Sequence, residues 1–181
     1  MGNTISQKPT QLDIELSNSC ISYKHNDIVN VIYDILGTKY GQIEAMCDIA
    51  SWLLRYLLIK HRNYNEEDVV LVCGFVQEID HVWVYDKKEN VYIDITIEQF
   101  NESTSMPCFY IKQKSMLLSF GYTITDENCT TKINHEINKL PEILYDSKKR
   151  AITKEQLITM IEQRLFKRGG KKRKTKRRKS T

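Results

Sequence analysis

HVWVYDKKENVYIDITIEQF, from His81 to Phe100, consists of two alternating segments on either side of the polar stretch Lys87–Asn90. HVWVYD and VYIDIT place apolar side chains at every second position, the period of a half-buried strand, and KKEN between them reads as a hairpin connection. If KKEN closes as a two- or four-residue loop, Trp83 faces Asp94 and His81 faces Thr96. Directly opposed side chains share a sheet face, so His81 and Asp94 become diagonal neighbours about 7–8 Å apart at the backbone. One bulged residue would send them to opposite faces.

Upstream, VVLVCGFV (Val69–Val76) is a short continuous apolar run, as expected of an internal strand. Two helical patterns precede it. Asp27 can cap a helix from Ile28 to Leu36 with Ile28, Val31, Ile32 and Ile35 on one face, ended by Gly37. A longer helix follows Gly41, where Met46, Ile49, Ala50, Leu53, Leu54, Leu57 and Leu58 recur at steps of three and four, and it ends near His61 to Asn63. Beyond the hairpin, 101–105 reads as a loop and further strands are read at 109–111 and 117–123. Thr153 then caps a last amphipathic helix, with Gln156 completing a capping box and Leu157, Met160, Ile161 and Leu165 on one face. Gly169-Gly170 closes it. Helices first and strands after them predict an α+β domain: N-terminal helices packed on a small antiparallel sheet, with a C-terminal amphipathic helix. The domain is expected over residues 13–166, between a polar arm (1–12) and a basic tail (167–181).

The 181 residues make one ordinary domain, and an apolar fraction of 41% suffices for a core without a metal or disulfide. Ten of the 27 Lys and Arg fall within Lys167–Thr181, which holds no acid. The remaining 17 stand against 23 Asp and Glu, so a body near −6 carries a tail near +10. Any attraction to polyanions belongs to the tail. The five cysteines (Cys20, Cys47, Cys73, Cys108, Cys129) are odd in number, widely spaced and preceded by no secretory signal, so a reduced intracellular setting is expected. No CxxC pair or His/Cys cluster has zinc spacing, and neither metal nor cofactor is expected. Ile43–Ile59 contains Glu44, Asp48 and Arg55, so it reads as a buried soluble helix and not a membrane span.

Three residues carry candidate chemistry. Cys47 falls near the start of the long helix, where unpaired N–H groups and the helix dipole favour an anion and make a thiolate a better nucleophile. The plainer reading is a small apolar filler, as most buried free cysteines are. A carboxylate at Asp94 would fix the tautomer and orientation of His81, leaving the second ring nitrogen to take a thiol's proton. Asp94 is also out of place in an otherwise clean strand. The plainer readings are an exposed strand carboxylate and a histidine facing water. Cys73 reads as strand packing, Trp83 as a neighbour of the site or plain core, and His25, His61 and His135 as histidines without matched partners.

A Cys at the head of an apolar helix, then a strand opening H-V-W-V, then a strand ending Y-I-D-I-T-x-x-Q-F resembles the core of transglutaminase-like, papain-related cysteine enzymes. The likeness runs from about Tyr40 to Phe100, and HVWVYDKKENVYIDITIEQF is its most specific part. It implies a papain-like or transglutaminase-like core with Cys47 as nucleophile, His81 as general base and then acid, and Asp94 as orienting residue. It also implies a protein, peptide or amide substrate attacked through a thioester, with peptidase, amidase or deamidase activity. Many relatives place Cys right after a Gly-Gln-like turn, whereas Gly41-Gln42 precedes Cys47 by several residues. Either the helix starts late, near Ala45, or Cys47 lies a turn inside it. Gln42 stands at a spacing close to that of the papain oxyanion-hole glutamine and is carried as an oxyanion donor; a surface loop glutamine is the plainer reading. A non-catalytic adaptor of the same fold, tethering a membrane or virion surface to nucleic acid through its ends, is the alternative.

At the N-terminus MGNTIS fits the N-myristoylation pattern, with Gly2 exposed by Met removal and Ser6 following. The tail KRGGKKRKTKRRKST cannot fold alone. Nuclear import, non-specific nucleic-acid contact and binding to anionic lipid are its open readings, beside a solvated tail with no partner. One acyl chain plus a polybasic patch would supply the two signals that stable membrane anchoring takes. The tail also resembles those of proteins of large nucleocytoplasmic DNA viruses, which would imply a virion setting.

Overall fold

In the computed structural model, residues 23–40, 46–100, 110–145 and 150–169 are described. Helix α1 (Asn26–Tyr40) and helix α2 (Cys47–His61) lead into β1 (Val69–Val76), β2 (Ile79–Asp86) and β3 (Val91–Ile93). A 3-10 turn (Ile97–Phe100), β4 (Tyr110–Ile111), α3 (Lys114–Ser119), β5 (Tyr122–Asp126) and α4 (Thr130–Lys139) come next. The two-stranded pair β6 (Leu144–Tyr145) and β7 (Ala151–Ile152) precedes the last helix, α5 (Lys154–Gly169). The fold is therefore α+β, with helices packed on a small antiparallel sheet of order β4-β3-β2-β1-β5.

Alternation along the strands divides the core in two. Val69 and Leu71 of β1, Val82 and Val84 of β2 and Val91 and Ile93 of β3 point toward the helices, where Leu53, Leu57, Ile32 and Ile161 bury them. Val70, Val72, Trp83, Tyr92 and Tyr122 cover the other face together with Leu117 of α3. The hairpin register is the expected one, Tyr85 pairing with Tyr92 and Val84 with Ile93. β1 and β2 are joined by Gln77-Glu78, both in the left-handed region (φ 50 and 67), which a two-residue hairpin turn requires and which neither residue type signals.

Several expectations are corrected. α1 runs through Gly37 to Tyr40, and Asp27 is not its cap but lies in its first turn, paired with Arg62. Packing overrides a mid-helix glycine, whose intrinsic cost is only about 1 kcal/mol. The segment read as a strand over 117–123 divides into α3, a turn at Gly121 and β5. α4 had no expected counterpart. α5 runs to Gly169, the end read from Gly169-Gly170, and its capping box forms as expected: Thr153 N–H donates to Gln156 Oε1 (3.0 Å) and Gln156 N–H to Thr153 Oγ1 (3.3 Å). Two of the three histidines have partners, His61 on Glu162 (2.8 Å) and His25 on Tyr64 (3.2 Å). Tyr64 and Tyr23 both donate to the buried Asp86, tying the start of α1 to the end of β2.

Cys73 is not mere packing: it forms a disulfide with Cys129, joining β1 to the start of α4. This departs from the fully reduced state expected. Cys20 and Cys108 lie outside the described residues, as do the arm 1–12, Gly2, Gln42 and the tail from 170 onward. Among the described residues no helix is long and apolar enough to cross a membrane.

Gly74, paired with His81 across β1–β2, sits where the β1–β5 register shifts. A Cβ there would meet the Thr123 carbonyl oxygen at 1.9 Å and the Trp83 ring at 2.8 Å. Backbone cannot rotate away as a side chain can, so Gly74→Ala forces β5 outward. The expected loss is about 1–3 kcal/mol or more, read as a lowered thermal midpoint with weakened near-UV dichroism from Trp83.

Candidate active site

Cys47 is the first residue of α2, with Met46 at the cap position providing no side-chain bond. The helix thus starts late, and the thiol lies at the positive end of the dipole and not a turn inside. Asp48 is the next residue. Its carboxylate accepts the Ile49 N–H (2.7 Å), and burial, with the Glu136 charge adding, raises its pKa above the usual carboxylate range. One first-turn amide is therefore already engaged.

Cys47, Ser51 and Arg55 recur at steps of four and so lie in one line along α2. Ser51 Oγ donates to the Val82 carbonyl (3.0 Å), Arg55 Nε to the Val69 carbonyl (2.9 Å) and Arg55 Nη2 to the Glu66 carbonyl (3.1 Å). Val82 adjoins His81, so the Ser51 bond fixes the height of the helix one residue from the imidazole. At the head of this line the Cys47 thiol lies beside His81, near enough to help raise its pKa.

The His81 side chain is fully buried at the start of β2. Nε2 meets Asp94 Oδ2 at 2.7 Å, and the Gln99 amide nitrogen lies 3.2 Å from Nδ1. The Trp83 ring stacks at 5.9 Å between centroids and Phe100 presents its edge at 4.8 Å. Burial opposes charge on the ring, but the Asp94 carboxylate and the Cys47 thiol outweigh it and raise the His81 pKa to about 9.

Asp94 is buried and accepts four hydrogen bonds. His81 and the Tyr122 hydroxyl (2.6 Å) approach Oδ2, while Thr96 N–H (2.9 Å) and Thr96 Oγ1 (3.1 Å) approach Oδ1. Burial pushes its pKa up, yet the facing imidazole and these donors hold it below the usual range. Burial and the Asp94 charge push the Tyr122 phenol well above its ordinary value, so it stays a donor. The bond from Asp94 to the amide two residues on is an Asx-type turn, which explains why β3 ends at Ile93 and does not continue to Thr96. An aspartate that looked misplaced in a strand is the residue that ends it.

Cys47, His81 and Asp94 are thus brought together. Tyr122, Thr96, Gln99 and Ser51 belong to the same assembly and were not singled out in the sequence. Only Thr96 had a readable signal, the Asp-x-Thr spacing of an Asx turn. Comparison with known proteins gives no match: no family model, no curated protein and no solved structure matches the chain. Among the described residues no group of three or more His, Cys, Asp or Glu is placed to hold a metal ion.

Proposed function

We propose that the chain is a thiol-dependent acyl hydrolase or acyltransferase, with a papain-related, transglutaminase-like core and a Cys47–His81–Asp94 triad. The observation that supports this reading is a buried imidazole bonded to a four-donor carboxylate and lying beside a thiol at a helix N-terminus. Asp94 is fixed by its donors, and it fixes His81 in turn. Nδ1 takes the Cys47 proton, the thiolate attacks an acyl carbon, and the C–S bond forms as the carbonyl electron pair moves onto oxygen. Collapse of that oxyanion expels the amine, which leaves with the proton from Nδ1, and a thioester remains. Water or a second amine then releases the acyl group. A peptide or glutamine-type amide is the first choice of substrate.

Iodoacetamide labelling of Cys47 across pH 5 to 9, in the parent and in His81→Ala, tests this. At pH 6 a thiol with the ordinary pKa of about 8.5 is mostly protonated. A neighbouring imidazole that takes the thiol's proton favours the nucleophilic form, and the lower nucleophilicity of a stabilised thiolate returns part of that gain. The parent is expected to label about tenfold faster than His81→Ala at pH 6, the two converging near pH 9. Equal rates throughout would leave the non-catalytic adaptor, whose support is the segregated charge of the ends, as the better reading. On either reading, attachment to a membrane through Gly2 acylation and residues 167–181 is compatible with the charge pattern.

A further inference from the structure

Tyr122 opens β5 where the chain leaves α3 through Gly121, which takes the left-handed conformation (φ 83) and donates its N–H to the Leu118 carbonyl (3.1 Å). Pairing of Tyr122 with Val76 of β1 then fixes the start of the strand. The phenol is buried, with the Trp83 ring edge-on at 5.1 Å, and Trp83 in turn stacks on His81. Its hydroxyl ends on Asp94 Oδ2 at 2.6 Å, the same oxygen that meets His81 Nε2 at 2.7 Å. Thr96 takes up the other oxygen, Oδ1. Imidazole and phenol therefore divide one oxygen between them. A donor on a carboxylate oxygen draws off part of its negative charge and lowers its affinity for a second proton. The titratable groups that act on the His81 ring are Asp94 just after β3, Cys47 at the head of α2 and, through Asp94, Tyr122 of β5. Gln99 and Phe100 of the 3-10 turn also face the ring and carry no charge.

We infer that Tyr122 is a positioning residue that tunes the triad: by sharing Asp94 Oδ2, its hydroxyl loosens the carboxylate's hold on the imidazolium, so that the ring can protonate a leaving amine. The inference rests on the triad reading above and goes beyond it by giving the acid step a control. Breaking an acyl–nitrogen bond sends the bonding pair to nitrogen, which takes the ring's proton as the ring returns to neutral. An imidazolium clamped by an undivided carboxylate keeps that proton too well, and a general acid works best with its pKa near the operating pH. The phenol suits the task because burial and the Asp94 charge keep it protonated. It competes for the oxygen without joining the proton transfer.

NMR of the His81 ring nitrogens across pH 5 to 11 tests this, in a Cys47→Ala background where the ring titrates against Asp94 and not together with the thiol. Tyr122→Phe is expected to raise the ring's proton affinity about three- to tenfold, moving its titration midpoint up. 3-Fluorotyrosine at position 122, nearly the size of tyrosine and a stronger donor, is expected to move the midpoint down. It keeps the test decisive if the phenylalanine variant does not fold. A phenol that only packs against Trp83 would move the midpoint in neither case. An unmoved midpoint, a fall in Tyr122→Phe or a rise with the fluorinated ring overturns the inference. Should the ring with tyrosine at 122 titrate no higher than the ordinary 6.5, Asp94 does not hold it. The triad reading then fails before any change at Tyr122, and this inference falls with it.

Discussion

Asp94→Ala is expected to destabilise the chain by about 3–5 kcal/mol near pH 6, the range for removing one partner of a buried ion pair. The substitution removes the acceptor of four hydrogen bonds at once: the His81 ring, the Tyr122 hydroxyl and both donors of Thr96 lose their partner in a site where water does not reach. Urea midpoints of parent and variant measure the loss. Asp94→Asn keeps one carbonyl oxygen for His81 and is expected to lose less, which separates the missing acceptor from the missing volume. The loss also depends on pH in a defined direction. A histidine whose folded pKa is raised from 6.5 to about 9 stabilises the fold fully below 6.5, and that stability disappears as pH rises through 9. The gap between parent and Asp94→Ala should therefore narrow between pH 6.5 and 9. A gap that is constant across this window would mean that His81 is uncharged in the folded parent.

Reducing the Cys73–Cys129 bond is expected to cost a similar amount. Its sequence separation is 56, for which the chain-entropy relation gives about 4 kcal/mol. For a chain of this size that lowers the thermal midpoint by roughly 8–16 °C. Cys129→Ser should melt at the reduced parent's temperature and be insensitive to dithiothreitol. The hydrogen bonds around the bond limit the damage, since Cys129 N–H donates to the Leu71 carbonyl (2.9 Å) and Leu71 N–H to Thr130 Oγ1 (2.9 Å). α4 should therefore stay docked under mild reduction. A midpoint unmoved by reductant would show that the thiols are not joined in solution.

Legibility in the sequence tracks the range of each interaction. The β2–β3 pairing was readable because a short polar turn and strict alternation leave one register, and that register puts His81 and Asp94 on one face. The start of α2 at Cys47 was readable to within a few residues, because a long apolar stripe marks the body of a helix better than its end. Tyr122 was not legible: its hydroxyl reaches Asp94 only because β5 pairs with β1, a tertiary fact with no local trace. The partnership of Cys73 with Cys129 failed for the same reason. α4 was missed because Thr130–Lys139 shows little but Ile133 and Ile137 at a spacing of four in a polar context. Gln99 was passed over because a glutamine in a turn is ordinary until its neighbour is known to be an imidazole.

The crosslink has a topological consequence. His81, Asp94, Gln99 and Tyr122 all fall between Cys73 and Cys129, on one covalent macrocycle, and Cys47 falls outside it. Base and nucleophile therefore belong to two separately braced bodies, a stapled sheet and a helix docked by the polar bonds of Ser51 and Arg55. A perturbation that slides the helix can disarm the sulfur while the imidazole–carboxylate pair survives untouched.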